Sequence, residues 1–253
     1  MKVVTFNLRY IWKSDDEGIN SFIHRIGMIY EKINEECPDV IAFQEVVTET
    51  QLPLLKKILP EYIFLGHGRT ENYDGEGLYT AIRIDKYEVE KFETFWLSPT
   101  PFIAGSKFEN QGYCPRMCVM TLIRNKSDNS LVRIFNIHLD NKSAEARRLG
   151  IDSVLEFLEG ENKENEVSSI ILGDFNTRQD DTVHKLLCDQ GYFDVTYDIE
   201  TTFHGYGKTK TKFDYIYVDE DLKGKVTSTY IWDDSHMGIY LSDHYPVCAV
   251  FGE

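Results

Sequence analysis

Short apolar runs recur along this chain, and many end in polar groups capable of chemistry. Val3-Val4-Thr5-Phe6 leads to Asn7, Val40-Ile41-Ala42-Phe43 to Gln44-Glu45, and Ser169-Ile170-Ile171-Leu172 to Gly173-Asp174-Phe175-Asn176. Val132 to Ile137 leads to His138 and Asp140, and Leu241-Ser242 to Asp243-His244. Runs this rich in β-branched residues predict buried strands. Period-two alternation then brings Asp174 and Asn176 out of their strand pointing the same way. Helical spacing takes over in between: Ile26, Ile29, Tyr30 and Ile33 predict a helix over 22–36, which Cys37-Pro38-Asp39 breaks.

The same reading predicts strands over 2–7, up to Glu45, 61–65, 78–84, 87–97, 116–125, 131–138, up to Asp174, 213–218, 226–232 and 245–251. Further helices are expected over 48–58, 143–159 and 180–190, with Glu159 to Glu166 a solvated loop and 66–77 a loop at the functional face. Strands interleaved with helices, and a run of consecutive strands mid-chain, predict two mixed sheets packed face to face with helices outside. Ligands in open α/β architectures gather at strand ends, so the polar groups there are expected to converge on one site.

Composition narrows this picture. A chain of 253 residues without a Pro/Gly/Ser linker reads as one domain over 1–253. No basic region followed by an apolar segment opens it and no apolar run reaches membrane-spanning length, so the expectation is a cytoplasmic protein that uses no membrane. No obligate protein partner is inferred. The five cysteines are odd in number and scattered, which reads as reduced thiols; Cys114 and Cys118 lack a second pair at zinc-site spacing. The net charge of −15, from 27 Lys and Arg against 42 Asp and Glu, opposes a broad surface for long duplexes. A bound divalent cation would supply positive charge locally.

Each candidate residue has a bland reading beside the chemical one. Asp174 and Asn176 suit a turn or a helix cap as well as a cleft. Glu45 suits a cap on the helix near Thr48, or a hard oxygen ligand for Mg²⁺ or Mn²⁺ beside Asn7 and Asp243. His138 and His244, with Asp140 and Asp243 close in sequence, are structural or polarise phosphoryl oxygens. Asp214 binds backbone amides or partners a histidine. Trp12, Tyr73, Trp96 and Tyr113 belong to a cleft or to the core edge.

Taken in order, Thr5-Phe6-Asn7, Gln44-Glu45, Asn136-Ile137-His138-Leu139-Asp140, Gly173-Asp174-Phe175-Asn176, Phe213-Asp214-Tyr215 and Ser242-Asp243-His244-Tyr245-Pro246 resemble the motifs of the endonuclease/exonuclease/phosphatase superfamily over nearly the whole chain. The resemblance implies a four-layer α/β sandwich and metal-dependent hydrolysis of a phosphate ester. It implies Glu45 as main Mg²⁺ ligand, Asn7 and Asp243 shaping the metal and phosphate site, and Asp174 activating water. Asn176 and His138 would hold phosphoryl oxygens, and His244 paired with Asp214 would stabilise developing charge. Glu76 sits where deoxyribonucleases pair an acid with the first histidine. A narrower resemblance, through Asn7-Leu8-Arg9-Tyr10, Phe95-Trp96-Leu97-Ser98, Cys114-Pro115-Arg116, Glu145 to Arg148 and Thr202-Phe203-His204-Gly205, is to small bacterial members near the deadenylase-like branch. Arg9, Arg116 and His204 are then candidates for recognising substrate phosphate or sugar. The expected activity is a phosphodiesterase on a small or short substrate. The alternatives are a 3′-5′ exonuclease on short single-stranded nucleic acid, and a catalytically silent binding protein on the same fold.

Overall fold

In the computed structural model, which describes residues 1–11 and 18–252, the apolar runs pair into two six-stranded mixed sheets. The elements in chain order are β1 (Lys2–Asn7), α1 (Phe22–Glu36), β2 (Val40–Val47), α2 (Gln51–Ile58), β3 (Tyr62–Gly68), β4 (Glu76–Arg83), β5 (Tyr87–Trp96), β6 (Met117–Asn125), β7 (Leu131–His138), α3 (Ala144–Glu164), β8 (Ser169–Asp174), α4 (Thr182–Asp189), β9 (Phe193–Asp194), β10 (Asp214–Val218), α5 (Glu220–Lys223), β11 (Val226–Ile231), β12 (Ser235–His236), β13 (Ile239–Tyr240) and β14 (Val247–Phe251). The first sheet runs β11-β14-β1-β2-β4-β3 and the second β5-β6-β7-β8-β10-β9. At the centre of each lies a parallel pair, β1 with β2 and β7 with β8. Parallel neighbours need a crossover, and α1 and α3 provide it.

Alternation along the strands sorts side chains into three apolar layers. Val4 and Phe6 of β1 with Ile41 and Phe43 of β2 face outward onto Phe22, Ile29 and Ile33 of α1. On the second sheet, Phe135, Ile137 and Ile171 face Ile151, Val154 and Leu158 of α3 and Val183 and Leu187 of α4. The other strand faces meet between the sheets, where Val3, Val40 and Ala42 pack with Ile134, Ile170, Leu172 and Ile216. Helix, sheet, sheet, helix is the four-layer sandwich expected from the resemblance.

Several boundaries differ from the sequence reading. Helix α3 continues to Glu164 through the segment expected to be a solvated loop. Its charged residues find partners there: Lys163 pairs with Glu159 at 2.8 Å, Lys91 with Glu161 at 2.6 Å, and Arg133 donates to Asn162 Oδ1 at 2.6 Å. The loop expected over 66–77 is shorter, because His67 and Gly68 pair with Leu78 and Gly77 and extend β3 and β4. Helix α2 begins at Gln51 rather than 48, since Thr48 donates its hydroxyl to the Gly75 carbonyl instead of starting the helix.

Candidate active site

Strand register assembles the polar cluster. Within the second sheet His138 lies opposite Asp174, and Asp174 opposite Asp214; within the first, Asn7 lies opposite Gln44. Alternation places these side chains on the inter-sheet side, continuing the rows Val3-Thr5-Asn7, Ile134-Asn136-His138 and Ile170-Leu172-Asp174. Deep between the sheets a buried amide network ties the two together. Gln44 Nε2 donates to Asn136 Oδ1 at 2.9 Å, and Asn136 Nδ2 donates to the carbonyls of Phe43 at 3.1 Å and Tyr79 at 3.3 Å.

Two local devices re-aim the chain ends. A bulge between Phe43 and Val46 puts Glu45 in the left-handed region at φ 59°, and its Oε2 accepts from the Tyr10 amide at 3.2 Å. Glu45 therefore does not cap α2, the bland reading it had in sequence. Gly173 has φ 148°, and a Cβ there would sit 1.9 Å from the Ile137 carbonyl oxygen, so only glycine lets β8 approach β7 this closely. Arg9 and Asn176 are also left-handed, at φ 62° and 53°. Backbone held in such regions clusters at functional sites.

Asp174 is the hub. Its Oδ1 accepts from the Asn176 amide at 2.8 Å and its Oδ2 from Asn7 Nδ2 at 2.9 Å; His138 Nε2 lies 3.5 Å and His244 Nε2 3.9 Å from that same Oδ2. His244 donates through Nδ1 to Asp214 Oδ2 at 2.8 Å, and Thr202 donates its hydroxyl to the same oxygen at 2.6 Å. Burial and the nearby Asp214 charge raise the Asp174 carboxyl above the usual carboxylate range. Burial also opposes charge on His244, but Asp214, with Asp174 and Asp243 behind it, outweighs that penalty and raises the imidazole. His138 goes the other way: burial, then Arg116 and Arg69, hold it neutral, so its approach to Asp174 is not a charge pair.

On the other wall, Arg9 bridges two expected ligands, with Nη1 3.9 Å from Glu45 Oε2 and Nε 3.7 Å from Asp243 Oδ2. Glu76 is near His138, yet its bonded partner is Arg69, at 2.5 Å. Arg69 was not singled out by sequence, since a lone arginine in a polar loop carries no signal. Burial, with Glu45 nearby, raises the Glu76 carboxyl even so. Arg116 is 6 % exposed and lies 3.8 Å from Asp140 Oδ2.

Other expectations land elsewhere. Asp140, close to His138 in sequence, accepts through Oδ1 from the Lys142 and Ser143 amides, capping the turn into α3, and through Oδ2 from the Gly112 amide. His204 is buried against Tyr245 and Tyr240, its Nδ1 accepting from the Gly207 amide, while its own amide and that of Gly205 donate to the Asp243 carbonyl. It buttresses the Asp243-His244 turn. Trp96 is buried and stacked on His67, Tyr73 and Tyr113 are exposed, and Trp12 lies outside the described residues. Thr202, which links Asp214 to the backbone amides of Phe213 and Asp214, escaped notice as a functional residue, although it stands in the Thr202 to Gly205 motif.

Among the described residues, two groups of side chains each bring three ligand atoms within 4.8 Å of one another: Glu45, Glu76 and His138, and Asp174, Asp214 and His244. Either is chemically able to hold a divalent cation, carboxylate oxygens being the donors that hard ions take. No curated protein matches the chain. Among solved structures, a mannosyl-6-phosphatase from Bacteroides thetaiotaomicron is 24% identical with both chains covered completely and a TM-score of 0.90. A functionally unknown conserved protein from Enterococcus faecalis is 28% identical over the full length of both, with a TM-score of 0.85. An endonuclease/exonuclease/phosphatase from Bacteroides vulgatus is 25% identical over 98% of this chain and 97% of that one, with a TM-score of 0.88. The model of the Endonuclease/Exonuclease/phosphatase family matches residues 4–244, a span that runs from β1 to His244 and takes in every strand end of the cluster. With two packed mixed sheets and this Asp/His cluster between them, the chain belongs to the endonuclease/exonuclease/phosphatase family of metal-dependent phosphoesterases.

Proposed function

We propose that this chain hydrolyses phosphate ester bonds of a small or short phosphate-containing substrate, with Mg²⁺ or Mn²⁺ held by Glu45, helped by Asn7 and Asp243. The observation that carries the reading is the convergence of Asn7, His138 and His244 on one buried carboxylate oxygen of Asp174. Asp174 orients the attacking water and takes its proton, a role suited to a carboxyl raised by burial. His138 and Asn176 hold phosphoryl oxygens. His244, kept charged by Asp214, faces the charge that develops in the transition state. The cation, when bound, relieves negative charge on the phosphoryl oxygens. Its oxygen donors favour the Glu45 side, because His244 and Asp214 on the other side are already bonded to each other.

The acidic surface favours a compact substrate over a long duplex. The similar Bacteroides thetaiotaomicron protein is a mannosyl-6-phosphatase, which puts sugar phosphates on the panel beside diesters and short oligonucleotides. The test is turnover of that panel with Mg²⁺ or Mn²⁺, with EDTA controls, by wild type and Asp174→Asn. Loss of general-base assistance costs about 10²- to 10⁴-fold. Metal-dependent turnover that persists in a folded Asp174→Asn protein refutes the role given to Asp174.

A further inference from the structure

Beside His138 lies a small cavity walled by Arg69, Glu76, Leu78, Arg116 and Met117. Its volume of about 10 Å³ is room for a single water-sized atom. Arg116 contributes a guanidinium that is almost wholly buried, and two of its nitrogens, Nε and Nη1, have no hydrogen-bond partner. Buried donors are normally satisfied, and an unpaired cation is costlier than a neutral group, so this pair of N–H groups calls for a ligand.

The neighbouring acids do not answer it. Glu76 is bonded to Arg69 at 2.5 Å. Asp140 stands 3.8 Å from Arg116 Nε, beyond hydrogen-bond range, with its oxygens engaged by the amides of Gly112, Lys142 and Ser143. The site thus has a buried guanidinium with unpartnered N–H groups, room for one oxygen, and a wall, His138, shared with the position proposed for the scissile phosphoryl group.

Resting on the phosphoesterase reading, we propose that Arg116 receives the third non-bridging oxygen of a terminal phosphate, and thereby makes phosphomonoesters the preferred substrate class. A monoester carries that additional oxygen and nearly two negative charges at neutral pH. A diester has an ester substituent in its place, which a one-atom cavity excludes, and leaves the guanidinium unsatisfied. A preference for monoesters departs from the diester preference expected from the sequence. Arginine suits the task because its guanidinium stays charged when buried and donates charge-assisted hydrogen bonds to phosphate oxygens.

The test compares p-nitrophenyl phosphate with ethyl p-nitrophenyl phosphate, which share a leaving group, in wild type, Arg116→Lys and Arg116→Gln. Calorimetric titrations with inorganic phosphate and with dimethyl phosphate, both in Mn²⁺, accompany it. Wild type is expected to prefer the monoester and to bind phosphate more tightly than dimethyl phosphate. Arg116→Gln should lose about 10- to 100-fold on the monoester and on phosphate binding, the range for one charge-assisted hydrogen bond, with much less loss on the diester. Arg116→Lys should fall between them. Equal losses on both esters, or a wild-type preference for the diester, overturn the proposal while leaving phosphoester hydrolysis standing. Phosphate binding that depends on Arg116 without turnover of either ester supports the subsite and leaves the hydrolase reading to the wider panel; no phosphate binding by wild type overturns the subsite. Should both variants fail to fold, the two wild-type discriminations still decide.

Discussion

Replacing Asn136 by alanine should destabilise the protein by about 3–4 kcal/mol, because its carboxamide is a buried link between the two sheets. Three hydrogen bonds go: one accepted from Gln44 Nε2 at 2.9 Å, and two donated to the carbonyls of Phe43 and Tyr79 at 3.1 and 3.3 Å. At about 1 kcal/mol net per bond these give about 3 kcal/mol. The fully buried position adds a small cavity term. For a chain of 253 residues, where 1 kcal/mol moves the melting temperature by about 2–4 °C, Tm should fall by about 10 °C. The assay is thermal melting in EDTA, which isolates the protein from cation binding, followed by urea titration of wild type, Asn136→Ala, Gln44→Ala and the double variant. Since the side chains share a bond, their effects should be non-additive by at least about 0.5 kcal/mol. A single-variant Tm within about 3 °C of wild type, or strict additivity, would refute the reasoning. Turnover should fall as well, because Phe43 immediately precedes the bulge that aims Glu45.

Three further outcomes are expected. Mn²⁺ at about 100 times its dissociation constant should stabilise wild type by about 2.7 kcal/mol, and Glu45→Gln should lose most of this in a thermal-shift titration; an unchanged shift would move the cation elsewhere. Gly173→Ala should fail to give a stable fold, since its Cβ would overlap the Ile137 carbonyl; a soluble variant melting within about 5 °C of wild type would contradict the close approach of β7 and β8. His184 is buried beside Phe175 and Tyr215 and bonded to Tyr217 Oη at 2.7 Å, and burial lowers its pKa to about 4. The unfolded chain, with histidine at about 6.5, then binds more protons between these values, so this contribution is intact above pH 6.5 and is lost as pH falls toward 4. Between pH 7.5 and 5 it should amount to about 2 kcal/mol, and His184→Gln should show correspondingly less acid sensitivity in urea titrations; an identical pH slope would count against it.

What could be read from the sequence follows from where the information is local. Asp174, His138, Asp214 and His244 each stand at the end of an apolar run or inside a short motif, and strand alternation carries Asp174 and His138, the last residues of β8 and β7, to the inter-sheet side. The bulge at Glu45 was illegible, because Gln44-Glu45 reads as two ordinary strand residues and the left-handed φ follows from pairing with β4. Partnerships set by the conformation of a loop or turn were illegible as well. Glu76 stood out as a partner for His138, but its bond to Arg69 depends on the fold of the loop between β3 and β4. Asp140 stood out through its position beside His138, yet its oxygens are consumed by amides that only the β7 to α3 turn brings near.

The two parallel strand pairs explain why the site lies where it does. In each sheet a parallel pair must be joined by a crossover, so the two strands end at the same edge, where Asn7, His138 and Asp174 are the last residues of β1, β7 and β8 and Glu45 is turned out by the bulge in β2. β1 and β2 thus deliver Asn7 and Glu45 from one sheet, and β7 and β8 deliver His138 and Asp174 from the other. Stacking the sheets brings the two open ends together, and the antiparallel neighbour β10 adds Asp214. The Gln44–Asn136 bridge lies one step below, inside the sandwich, where it fixes the spacing of the two halves without occupying the cleft. The residues proposed for cation binding and catalysis are therefore divided between the sheets, and any perturbation that lets the sheets slide should weaken the cation binding proposed at Glu45 and the proton abstraction proposed at Asp174 together. Loss of one without the other, in a variant of the bridge, would show that the two halves are positioned independently.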